Sequence, residues 1–93
     1  MNSSERGMAN RNLFMDLVTF IGEHPAIGEA MHNTAQLVFV ALDNPELARE
    51  NVDAAKASGR PEGKITYVKA LKSNGSAKYD VFELIEPPIE IPE

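Results

Sequence analysis

His24 and His32, with a scatter of carboxylates, are the residues of this chain best equipped for proton transfer or metal binding. On one continuous helix their eight-residue spacing leaves them about 80° apart. Glu23 and Glu29 lie close in sequence, yet three well-placed ligands for a metal centre are not evident. Cysteine is absent, which excludes disulfides, thiolate ligands and a cysteine nucleophile together. The stretch "SGRPEGKI", residues 58–65, invites comparison with a phosphate loop. Its glycines enclose three residues rather than four, and Ile65 stands where a metal-binding hydroxyl is required. It also leaves a predicted helix to enter a predicted strand, the reverse of the order such a loop needs. No serine sits in a nucleophile elbow. Asp16, Glu23, Glu29, Asp43, Glu46, Glu50 and Asp53 fall where helix caps and solvated faces place carboxylates, and nothing marks two of them as a catalytic pair. The expectation is a protein that is not an enzyme, with no metal and no cofactor.

The basic residues carry more functional content. The net charge is −5, but Lys56, Arg60, Lys64, Lys69, Lys72 and Lys78 crowd into residues 56–78 against Glu62 alone. Lys64, Lys69, Lys72, Lys78 and Tyr79 form a candidate nucleic-acid contact, lysines for phosphate and the tyrosine for a sugar or base. Three helices followed by a hairpin is an element order that resembles winged-helix DNA-binding domains. The likeness is confined to that order. The predicted third helix, "NPELARENVDAAKASG", sets Glu46, Glu50 and Asp53 against Arg49 and Lys56, and would meet phosphates at an electrostatic cost.

The elements that must position these residues can be read from periodicity. Leu13, Phe14, Leu17, Val18, Phe20 and Ile21 predict a helix from Asn10, capped by Asn10 or Asn12 and stopped at Gly22. Pro25 opens a second helix whose stripe (Ile27, Met31, Thr34, Val38, Leu42) runs to residue 42. The alternative is a strand over residues 36–43, giving a small α/β sheet, because "QLVFVALD" also reads as a buried strand. Asn44-Pro45-Glu46 starts a third helix that ends near Ser58-Gly59. Asn74-Gly75 signals a two-residue hairpin turn, which would face Tyr67 with Phe82, Lys69 with Asp80 and Ile65 with Leu84.

The expected fold class is α+β, three helices packed on a C-terminal antiparallel β-hairpin. The expected core is Phe14, Leu17, Val18, Ile21, Met31, Val38, Leu42, Ile65, Tyr67, Phe82 and Leu84. Residues 1–9 should form a flexible arm, 10–86 one globular domain, and 87–93 an extended proline-rich tail. No apolar run approaches the length of a membrane span, and the N-terminus lacks a signal pattern, so a cytoplasmic location is expected. Two open sheet edges, the tail, and apolar residues beyond one helical face point to a small interaction protein: an adaptor, regulator or inhibitor. Its partner would be another protein or a second copy, met through Phe39, Val40, Ile89 and Ile91. The alternative is a nucleic-acid-binding regulator that uses the basic hairpin, residues 64–79.

Overall fold

Asn2 opens the first helix. Its side chain accepts from the Glu5 N–H at 2.9 Å while the Glu5 carboxylate reaches back to the Asn2 N–H, a reciprocal capping box. In the computed structural model, which describes residues 1–91, helix α1 therefore runs from Ser3 to Glu23. The segment expected as a flexible arm is helical from its third residue. Pro25 at the first position starts the short helix α2 (Pro25–Ala30), which ends at Met31. The chain then extends into strand β1 (Gln36–Ala41).

The expected long second helix is thus cut short, and the alternative strand reading of residues 36–43 is the one realised. Val38, Phe39 and Val40 supply the β-branched and aromatic run that favours a pleated surface. Residues 38–41 are buried on both faces of the strand, which explains why the segment lacks alternation. Helix α3 (Pro45–Ala57) follows, with the Asn44 side chain accepting from Leu47 N–H at 3.3 Å and proline in its first turn. A short turn leads into β2 (Ile65–Leu71), and β3 (Val81–Ile85) closes the sheet.

The fold is α+β, with a mixed three-stranded sheet of order β1-β2-β3. Strands β1 and β2 are parallel (Val38 beside Tyr67, Phe39 beside Val68) and joined by α3 as a βαβ crossover. Strands β2 and β3 form the C-terminal antiparallel hairpin. Its register differs from the expected one: Leu71 pairs with Val81, Ala70 with Phe82 and Lys69 with Glu83. Asn74-Gly75 does turn the chain, with Gly75 at φ +83° and Ser76 N–H donating to the Ser73 carbonyl at 2.9 Å. It does so inside a longer loop, residues 72–80: either tight primed turn needs positive φ at the first central residue, here Asn74, and among the described residues only glycines adopt it.

That register sends alternate residues to two covered faces. Phe39, Ala41, Val68, Ala70 and Phe82 pack under Leu13 and Leu17 of α1. Val38, Val40, Ile65 and Tyr67 pack against Ala48, Val52 and Ala55 of α3. Helices therefore cover both faces of the sheet rather than one. Phe14 and Val18, expected in the core, are 49% and 52% exposed, while Leu13 takes the inward position. Ile21, Met31, Leu42 and Leu84 are half-buried at its margin. The tail folds back over the α3 side of the sheet, where Ile89 and Ile91 pack against the second cluster; residues 92 and 93 of the tail lie outside the described residues.

Candidate functional site

At the β1 edge, α1 and α3 meet on one side chain. Asn51 is buried in the apolar stripe of α3. Its Nδ2 donates to the Phe39 carbonyl at 3.0 Å and to Asn10 Oδ1 at 2.8 Å. Its Oδ1 accepts from Asn10 Nδ2 at 2.9 Å and Arg6 Nε at 3.1 Å. Both donors and both acceptor positions of the amide are filled. The Phe39 carbonyl of β1 is thus held by a side-chain bond from α3, and of the two hairpin edges expected to be open, the β2 edge is paired with β1.

The basic residues of the hairpin are dispersed. Lys64 is exposed at the start of β2, and Lys72 and Lys78 lie beyond its far end. Lys69 pairs across the hairpin with Glu83 at 3.2 Å. Lys72 pairs with Asp43 at 3.5 Å and lies 4.8 Å from the centre of the Tyr79 ring. The Tyr79 hydroxyl donates to Asp43 Oδ1 at 2.5 Å, and its backbone N–H donates to Asp16 Oδ2 at 3.1 Å. Burial, then the bond to Asp43, pushes the Tyr79 phenol well above its ordinary value. Tyr67 is raised in the same direction, by burial first and by its 3.0 Å bond to Glu62 second. Asp80 fastens the loop by accepting from Ser73 Oγ and from Ser73 N–H, the latter at 2.7 Å, which holds its carboxyl below the ordinary range.

Asp43, Lys72 and Tyr79 therefore form a closed polar knot beyond the carboxyl ends of β1 and β2. Tyr79 packs against the α1 side of the core, so the knot ties the hairpin loop to the sheet and α1. A notch of about 150 Å³ beside it is lined by Asp16, Phe20, Glu23, Lys78, Tyr79 and Asp80. The histidines cap locally. His24 Nδ1 lies 3.1 Å from the Phe20 carbonyl with its ring stacked on Phe20, and His32 Nδ1 lies 2.8 Å from the Glu29 carbonyl. Among the described residues no three His, Cys, Asp or Glu side chains gather as a metal site would require.

Phe39 and Val40, expected at a protein-binding surface, are 5% and 0% exposed and belong to the core. As residues of a two-sided strand they find cover on both faces inside the chain. Ile89 and Ile91 are half-buried beside a shallow groove of about 540 Å³.

The uncovered apolar surface lies elsewhere. Met8 is 63% exposed, Phe14 49%, Met15 62% and Val18 52%, four of the five large hydrophobic side chains exposed among the described residues. All four lie on α1, away from Leu13 and Leu17. The signal for this face was present in the sequence, since Met8 and Met15 join Phe14 and Val18 in a band that one buried stripe cannot absorb.

Fold and surface together define a small α+β domain: a mixed sheet between helices, with one helix apolar on both its inner and its outer side. Residues 6–81 match the model of a family described as a family of unknown function (DUF5647), and the chain belongs to that family. The matched span takes in α1 from Arg6 onward, the βαβ unit and the hairpin loop. Neither a curated protein nor a solved structure matches the chain. Among the described residues no helix is long and apolar enough to cross a membrane.

Proposed function

We propose that this chain is a small, non-enzymatic, cytoplasmic interaction protein that binds a protein partner through the outer face of α1. The observation that carries the reading is the concentration of exposed Met8, Phe14, Met15 and Val18 on one helix whose inner side already serves the core. Exposed apolar side chains gathered on one helix mark an interaction surface more often than scattered single residues do. Full burial of each such side chain is worth about 1.5–3 kcal/mol, and methionine adapts well to a partner's contours. The cytoplasmic location rests on the absence of cysteine.

The nucleic-acid reading through Lys64, Lys69, Lys72, Lys78 and Tyr79 finds less support. Lys69 and Lys72 are balanced by Glu83 and Asp43, and Tyr79 is engaged with Asp43 rather than presented to solvent.

The test is a Met15→Glu, Val18→Glu double variant, whose substitutions sit on exposed positions and leave the fold intact. In an extract of the native cell the natural chain should migrate well above its 10.2 kDa mass, and the variant should migrate as the free chain. Co-migration of the two at the free-chain position would refute the reading.

A further inference from the structure

The tip of the hairpin loop holds a reactive pair. Asn74 and Gly75 are both exposed, and they sit inside the turn that Ser76 N–H closes on the Ser73 carbonyl at 2.9 Å. The loop is fastened on either side of the tip, through Lys72 to Asp43 and through Ser73 to Asp80. Among the described residues the Asn74 side chain has no hydrogen-bond partner, and Gly75 N–H has no backbone acceptor. A Cβ placed on Gly75 would meet nothing within 4 Å, so the tip stands in open space.

We propose that Asn74 is a site of self-modification, deamidated through the Gly75 nitrogen to a mixture of aspartate and isoaspartate. The Gly75 nitrogen gives its proton to hydroxide and attacks Asn74 Cγ. As the N–Cγ bond forms the Cγ–Nδ2 bond breaks, and ammonia leaves after taking a proton from water. Glycine suits this step because no Cβ obstructs the approach of its nitrogen. Water then opens the cyclic imide. Hydrolysis at Cγ yields aspartate. Hydrolysis at the main-chain carbonyl yields isoaspartate, whose main chain runs through Cβ and is longer by one CH2. The sum is amide plus water to carboxylate plus ammonium, with nothing oxidised or reduced.

The other six asparagines show how the fold restrains the same reaction. The amides that follow Asn10, Asn12 and Asn51 lie within α1 and α3, in helical hydrogen bonds. Thr34 N–H, after Asn33, donates to the Met31 carbonyl at 3.0 Å. Asn44 precedes proline, which has no N–H to lose. Asn2 holds its Oδ1 on Glu5 N–H at 2.9 Å as the helix cap.

The product alters the loop but not its anchors. A carboxylate at position 74 offsets positive charge between Lys72 and Lys78, and isoaspartate inserts its CH2 within the Ser73–Ser76 turn. The exposed isoaspartate carries a free main-chain carboxylate, the acceptor class for carboxyl-methylating repair enzymes.

The test ages the purified full-length chain in neutral and in mildly alkaline buffer, with and without urea. Peptide masses locate each amide lost, and isoaspartate is counted by methyl transfer from S-adenosylmethionine with an isoaspartate-specific methyltransferase. In the folded chain Asn74 should lose its amide first, faster at the higher pH, while the other six keep theirs. An Asn74→Gln chain should lose its methyl acceptance. In urea Asn74 should react much as before, and Asn12 and Asn33 should begin to convert. A folded chain that keeps the Asn74 amide, while urea releases it, would mean that the turn holds the Gly75 nitrogen away from Cγ, and would overturn the proposal. Methyl acceptance that survives in Asn74→Gln, or an amide lost first at another asparagine, would also overturn it.

Discussion

At the scale of single residues, Asn51 carries the most weight for its size. Replacing it with alanine would leave the Phe39 carbonyl and the Asn10 amide without their partner next to the core. The expected loss is about 2–3 kcal/mol of unfolding free energy, read from urea denaturation. A double-mutant cycle with Asn10→Ala should return a coupling of about 1 kcal/mol, since the two amides bond reciprocally. The sequence held a signal for this residue: Asn51 falls on the stripe of Leu47, Ala48, Val52 and Ala55, where a polar side chain needs a partner. The identity of that partner was not legible, because Asn10 lies 41 positions away in another helix. The two tyrosines make a second prediction. Both phenols are raised above the ordinary value of 10.0, so each binds its proton more tightly folded than unfolded. Their contribution to stability is complete below about pH 10 and is lost as pH rises toward the folded values. An ultraviolet titration of the folded chain should show less than half of the tyrosine ionised at pH 10, with ionisation completed at higher pH. Half-ionisation near pH 10 with the fold intact would contradict the burial of both rings.

Among the elements, α1 shows what periodicity can and cannot convey. Its apolar band located the helix but not the side that faces the sheet. The band is wide, and one chain with an unknown number of layers offers no reference direction. Leu13→Ala and Leu17→Ala should each cost about 2–5 kcal/mol. In dilute solution Phe14→Ala and Val18→Ala should each cost under about 1 kcal/mol. Equal costs for the two pairs in urea denaturation would mean that α1 is rotated from the orientation described. Helix α1 starts at Ser3 rather than at the expected Asn10, although Asn2-Ser3-Ser4-Glu5 carries a capping-box pattern. For β1, the stripe from Ile27 to Leu42 fits a helix as well as a strand, and only the β-branched run, with a helix and another strand following, favours a βαβ unit. In the hairpin, the turn residues were legible but the register was not. Asp80 and Ser73 widen the loop, and the strand settles where Phe82 and Leu84 share the face of Val68 and Ala70. The Phe82 ring there stands 5.4 Å from that of Phe20.

For the whole molecule, the surplus of apolar residues was legible, and its location was not. The sequence placed it in "QLVFVAL", whose residues 38–41 the βαβ unit buries between α1 and α3. The excess reappears on the back of α1, because a sheet covered on both faces needs only one side of each covering helix. Lys72 and Tyr79 of the basic hairpin, through Asp43 and Asp16, likewise brace the loop against the sheet and α1. The apolar side chains left most exposed among the described residues lie on one helical face, and the account stands or falls on whether that face meets another protein. The most direct measurement is photo-crosslinking in the native cell, with a photoreactive amino acid replacing Met15 in one version of the chain and Asp53, exposed on α3, in another. The account predicts a discrete protein adduct from position 15 and none from position 53, with a mass of two chains where the partner is a second copy. No adduct from position 15, or equal adducts from both, would contradict it.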